Sequence, residues 1–123
     1  MRILLVDDSR TMRAMQRSVL DALGHTEVEE ACDGQDALSK AGAFVPELVL
    51  VDWDMPTMDG LTFLRTYRKT NKTTPVITVM AEADKSQVIE AIRAGANHYV
   101  VKPFTAETLD ERIRETLARH RAA

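Results

Sequence analysis

Four branched apolar residues in a row, Leu48-Val49-Leu50-Val51, run directly into Asp52. No other stretch restricts the fold as much. The run does not alternate with polar residues, so both faces of the strand it forms must be covered. Strands covered on both faces belong to parallel sheets with helices packed on each side. The same strand locates the chemistry. Asp52 ends it, Asp54 follows two residues on, and Met55-Pro56 closes the segment. Open α/β sheets bind their ligands at that carboxyl edge.

The remaining chain repeats the pattern. Ile3-Leu4-Leu5-Val6 is a second buried strand, cut off by Asp7-Asp8. A helical spacing follows, with Met12, Met15, Val19 and Leu23 on the inner face and Gly24 as its stop. Thr26 to Ala31 reads as an edge strand, because Glu27, Glu29 and Glu30 interrupt it. Asp33-Gly34 opens a helix with Ala37, Leu38 and Ala41 inward, and the central strand comes next. A helix from Leu61 to Thr70 and a polar loop from Asn71 to Thr74 lead to a strand from Pro75 to Met80. The spacing then predicts a helix from Lys85 to Ala94 with Val88, Ile89 and Ile92 apolar, stopped by Gly95. His98 to Val101 is the fifth strand. Thr105 caps a last helix that turns Leu109, Ile113 and Leu117 inward. Strands separated by helices throughout predict an α/β (βα)5 fold, one domain over residues 1–123, with a parallel doubly wound sheet and right-handed crossovers.

Charge and cysteine usage narrow the function classes. A net charge of −3 over 123 residues leaves no basic excess to neutralise phosphates, which argues against nucleic acid as a partner. The single Cys32 excludes an internal disulfide and suits a reducing cytoplasm; with no nearby cation it is expected to pack rather than react. The only apolar run at the N-terminus stops at Val6, so no signal peptide or membrane insertion is expected. His25 and His98 lack metal-ligand spacing and are expected to be solvated or locally bonded.

Acidic residues gather where strands end. Asp7 and Asp8 follow the first strand, Asp52 and Asp54 the third, and Lys102 ends the fifth. Taken singly, Asp7-Asp8 can be a helix cap and Asp54 a turn residue. Taken together, grouped carboxylates repel and would hold protons unless a cation offsets them. An all-oxygen site with few protein ligands suits Mg²⁺. A metal beside a lysine is a place for a phosphoryl group, with Asp52 either a ligand or the nucleophile.

These residues resemble a known family. Asp7-Asp8, Asp52 with Met55-Pro56 and Met58-Asp59-Gly60, and Lys102-Pro103-Phe104 are similar to the receiver domain of two-component response regulators. The stand-alone chemotaxis regulators are the nearest likeness, through Ser9 to Arg13, Val28-Glu29-Glu30-Ala31 before Asp33-Gly34, Asp52-Trp53, Ala81-Glu82-Ala83 and Tyr99 to Phe104. The resemblance implies a flavodoxin-like sheet in the order 2-1-3-4-5. It implies that Asp52 accepts a phosphoryl group from a histidine kinase. Asp8, Asp52 and the backbone carbonyl of Asp54 would hold Mg²⁺, Asp7 would act largely through water, and Lys102 would contact a phosphoryl oxygen. The Lys102-Pro103 bond would be cis. Asp54 and Glu82 fall where the family tunes phosphoryl lifetime. Val88, Ala96, Tyr99 and Arg112 map to the face that binds a separate downstream protein, no output domain being expected.

One position departs from the pattern. The family places Ser or Thr at the end of strand four, and this chain has Met80. Its thioether donates no hydrogen bond. Thr78 lies two residues back on the same face, about 6.6 Å too deep at about 3.3 Å per residue. Met80 is therefore expected to crowd the switch aromatic, Tyr99, and to weaken the usual response. Two rivals follow. One is a receiver-like module that binds partners without phosphorylation. The other is a Mg²⁺-dependent phosphohydrolase using Asp52-Trp53-Asp54 as a DxD nucleophile motif, although such enzymes usually place DxD after the first strand.

Overall fold

The computed structural model describes residues 1–55, 58–81 and 84–122, with side chains described as far as residue 120. Five strands and five helices alternate: β1 Arg2–Val6, α1 Arg10–Ala22, β2 Glu27–Ala31, α2 Gly34–Phe44, β3 Leu48–Asp52, α3 Gly60–Thr70, β4 Val76–Met80, α4 Lys85–Ala94, β5 His98–Val101 and α5 Ala106–Ala122. The sheet order is β2-β1-β3-β4-β5. Every neighbouring pair is parallel, with Val6 opposite Val51 and Asp52 opposite Val79. β3 lies inside the sheet and all five of its residues are buried, as its unbroken apolar run requires. β2 is an edge, and its glutamates take the more exposed positions.

Side-chain alternation along the strands divides the core into two layers. One is formed by Val49, Val51, Val76 and Met80 with Ala37, Ala41, Phe63, Leu64, Tyr67 and Ala91, so it lies under α2, α3 and α4. The other joins Ile3, Leu5, Leu48, Leu50, Ile77 and Val79 to Leu20, Leu109 and Ile113, under α1 and α5. Each fully buried residue of this size contributes about 1.5–3 kcal/mol relative to exposure.

Helix starts are set by side-chain caps. Ser9, Asp33, Asp59 and Asp84 each accept a backbone N–H from the first turn of α1, α2, α3 and α4. Thr105 Oγ1 accepts from Thr108 N at 3.1 Å. Gly95 ends α4 at φ 114°, a conformation that favours glycine. The Arg68 guanidinium donates to the Gly95 carbonyl from Nε at 3.1 Å and Nη2 at 2.9 Å, tying α3 to the end of α4.

Two expectations are corrected. On α1 the deeply buried residues are Gln16 and Leu20, whereas Met15 is 56% exposed. At about 100° per residue Met15 stands well off the Gln16–Leu20 direction, and the helix is turned to bring the Gln16 amide inward. Cys32 is exposed, because β2 stops at Ala31 and the chain leaves the sheet toward the Asp33 cap. Trp53 is buried in the α2–α4 layer, close against Gly60.

Candidate functional site

The order of the sheet decides which strand ends meet. β1 and β3 are neighbours, and the chain order reverses between them, which is where α/β sheets open a crevice at their carboxyl edge. Asp7 directly follows β1 and Asp52 ends β3; they are 1% and 4% exposed. Asp8 points to solvent. One carboxylate oxygen from each of Asp7, Asp8 and Asp52 lies within 4.8 Å of the other two. Lys102, one residue past β5, reaches across the width of β4. Its Nζ stands 3.3 Å from Asp52 Oδ1 and 3.5 Å from Asp7 Oδ2.

Backbone and side-chain bonds hold this cluster. Asp7 N donates to the Ala31 carbonyl at 3.1 Å, extending the β1 ladder by one residue. Asp7 Oδ1 accepts from Ser9 N at 2.9 Å, and Oδ2 accepts from Gln16 Nε2 at 3.2 Å. Arg13 donates from Nη1 to the Asp7 carbonyl at 2.7 Å and pairs through Nε with Glu30 at 3.3 Å. Trp53 N bonds the Val79 carbonyl at 2.9 Å, Lys102 N bonds the Met80 carbonyl at 2.8 Å, and the Lys102–Pro103 peptide is cis. Asp54 is exposed, and its N–H makes a long 3.4 Å bond to Asp52 Oδ1.

Burial pushes the Asp52 carboxyl up to about 6. The Asp7 charge adds to the rise and Lys102 opposes it. A buried carboxylate beside a second one is short of positive charge even with the ammonium in place. The donor set suits a hard divalent cation: three carboxylates, with no imidazole or thiolate in the cluster among the described residues.

The sequence matches the response regulator receiver domain family over residues 3–114. The chain belongs to that family. It is 45% identical over 121 residues to the chemotaxis protein CheY of Pseudomonas aeruginosa, covering 97% of this chain and 98% of that protein. It is also 45% identical over 117 residues to the chemotaxis protein CheY-3 of Vibrio cholerae, covering 92% of this chain and 88% of that one. Among solved structures, the chemotaxis protein CheY4 of Vibrio cholerae aligns with a TM-score of 0.89 at 34% identity, over 94% of this chain and 97% of that one. A receiver domain protein from Methanospirillum hungatei aligns with the same TM-score at 30% identity, over 98% and 96%.

Acceptance of a phosphoryl group is general to receiver domains, and the remaining expected residues can be placed in that frame. Met80 is fully buried at the end of β4, in the layer against which the half-buried Tyr99 packs. Thr78 sits opposite Tyr99 in the β4–β5 register, and its hydroxyl is spent on the His98 carbonyl at 3.4 Å. His98 is locally bonded, to Tyr99 N and Glu115. Val88 is half-buried on α4, and Arg112 on α5 pairs with Glu115 at 2.9 Å. Ala96 is only 7% exposed. Glu82 lies outside the described residues.

Sequence reasoning missed two features. Gln16 falls at a position where a polar side chain reads as solvated, yet it is buried and bonded to Asp7. Ile89 and Ile92 stand 41% and 47% exposed on α4, although their spacing alone would place them in a core face.

Proposed function

We propose that this receiver domain takes a phosphoryl group from the phosphohistidine of a histidine kinase onto Asp52, and signals by binding a separate protein. The carrying observation is the convergence of Asp7, Asp8, Asp52 and the Lys102 ammonium at one crevice. With its carboxyl titrating at about 6, Asp52 is mostly ionised at neutral pH and available as a nucleophile. One Asp52 oxygen bonds to phosphorus while the phosphorus–nitrogen bond breaks. The leaving imidazole takes a proton from water, and the product is an acyl phosphate. Lys102, already 3.3 Å from Asp52, turns to a phosphoryl oxygen and offsets its charge. Asp8, Asp52 and the Asp54 carbonyl would hold Mg²⁺, with Asp7 acting largely through water, and the ion would supply further positive charge at those oxygens. Asp54 and Glu82, at the sequence positions where the family tunes phosphoryl lifetime, orient or repel the water that later hydrolyses the product.

The names of its relatives support a chemotactic role. The downstream partner docks on the α4–β5–α5 edge, at Val88, Tyr99 and Arg112. Incubation with Mg²⁺ and acetyl phosphate tests the core of this reading. The expected result is a mass increase of one phosphoryl group, absent in Asp52→Asn. No increase, or an increase that survives the substitution, refutes it. Sustained release of phosphate from phosphate esters would instead favour the DxD hydrolase.

Met80 supports a second reading, a module that binds its partner regardless of phosphorylation. A buried thioether stands where the family's hydroxyl would bond the phosphoryl group. Met80→Thr is expected to increase the dependence of partner affinity on phosphorylation. Equal and strong dependence in both proteins removes this reading.

A further inference from the structure

Asp7 is deeply buried and three donors reach its carboxylate: Ser9 N on Oδ1, and Gln16 Nε2 and Lys102 Nζ on Oδ2. Gln16 is itself 2% exposed. Its orientation is fixed chemically, because an ionised carboxylate only accepts, so the amide nitrogen must face Asp7. The amide oxygen is left over. Gln16 Oε1 is buried with no hydrogen-bond partner among the described residues. An unpaired buried carbonyl is unfavourable, whereas Leu20, one turn further along α1, is an ordinary apolar core residue. α1 nevertheless turns Gln16 inward and leaves Met15 in solvent.

The two donors on Asp7 Oδ2 respond differently to an arriving cation. The Lys102 ammonium has the same sign as a metal ion and is repelled by it. The Gln16 amide is neutral and stays. A Mg²⁺ ion also keeps several waters, each of them a donor. We propose that Gln16 is a positioning residue for the divalent-metal site. Its Nε2 keeps the Asp7 carboxylate in register with Asp8 and Asp52 when the ammonium gives way, and its orphaned Oε1 takes a hydrogen bond from water carried in with the hydrated ion. This inference rests on the metal reading of the acidic cluster. It assigns to a helix residue outside that cluster part of the control over metal affinity.

The test is calorimetric titration of Mg²⁺ into the wild-type chain, Gln16→Leu and Gln16→Met, with urea midpoints measured separately in EDTA. Both variants are expected to bind Mg²⁺ about tenfold more weakly, as loss of an outer partner of a metal ligand typically causes. Their metal-free urea midpoints should stay close to that of wild type, because loss of the bond to Asp7, whose Oδ2 keeps Lys102, is offset by removal of the unpaired amide oxygen. If the leucine variant does not fold, the unbranched methionine variant decides. Unchanged Mg²⁺ affinity in a folded variant overturns the inference while leaving the metal reading intact. A parallel fall in affinity and metal-free stability overturns it in favour of a packing role. Absence of Mg²⁺ binding by the wild-type chain overturns the metal reading, and this inference with it.

Discussion

Replacing Asp52 with asparagine should stabilise the metal-free protein. Asp52 is 4% exposed and shares its crevice with buried Asp7, so its charge is held in the folded state against both desolvation and repulsion. Lys102 at 3.3 Å recovers only part of this. The rise from the ordinary 3.8 to about 6 corresponds to about 3 kcal/mol favouring the neutral form in the folded state. Asparagine is neutral at every pH and nearly the same size. It is therefore expected to gain about 2–3 kcal/mol at pH 7.5, part of the ideal value being lost to imperfect accommodation of its amide.

The sign in pH is specific. The folded value lies above the unfolded one, so the wild-type chain holds this stability fully below about pH 4 and loses it as pH rises toward and through 6. The difference between variant and wild type should be near zero at pH 4, grow through pH 5, and level off above pH 7. Groups whose titration is the same in both proteins cancel. Urea unfolding in EDTA at several pH values measures the difference directly. A variant that is destabilised at pH 7.5, or a difference that does not change between pH 4 and 7, would refute the reasoning.

Four other outcomes follow from the local surroundings of particular residues. Lys102→Met removes the cation that holds Asp52 down, so the Asp52 carboxyl should titrate above its wild-type value by carboxyl NMR, and phosphorylation by acetyl phosphate should slow. Gly60→Ala places a methyl 2.8 Å from the Asp52 carbonyl and 2.9 Å from the Trp53 Cα, both backbone, and should cost about 2 kcal/mol or more in urea unfolding. Gly42→Ala, with nothing within 4 Å inside α2, should gain about 0.5–1 kcal/mol in the same assay. Arg68→Ala leaves the Gly95 carbonyl without its two guanidinium bonds and is expected to lose about 1–3 kcal/mol, read as a lower melting temperature.

Where the sequence was legible, one physical signal dominated. β3 and β1 could be read because unbroken apolar runs have few solutions other than double burial, and Asp52 and Asp7 because a charge at the end of such a run has only the sheet edge to occupy. Lys102 was legible because its stem is long enough to cross a strand. The failures have separate causes. Periodicity treats polar residues as surface, so Met15 was placed inward and Gln16 was overlooked, although a buried carboxylate draws the amide in and turns α1. Cys32 and Ala96 lie just beyond regular elements, where the path of the chain, not its pattern, sets exposure. Trp53 sits one residue past Asp52, and strand alternation alone sends it to the opposite side of the sheet.

That alternation has a consequence for how the domain can respond. Asp52 shares the parity of Leu50, on the α1–α5 side, while Met80 and Tyr99 belong to the α2–α4 side. The crevice and the aromatic that would report on it are thus separated by a partition one strand thick. Two rungs cross its upper edge, Trp53 N to the Val79 carbonyl and Lys102 N to the Met80 carbonyl. Any coupling between the two sides would have to pass through the backbone of these strands, so substitutions that loosen β4 are expected to weaken it without touching either end.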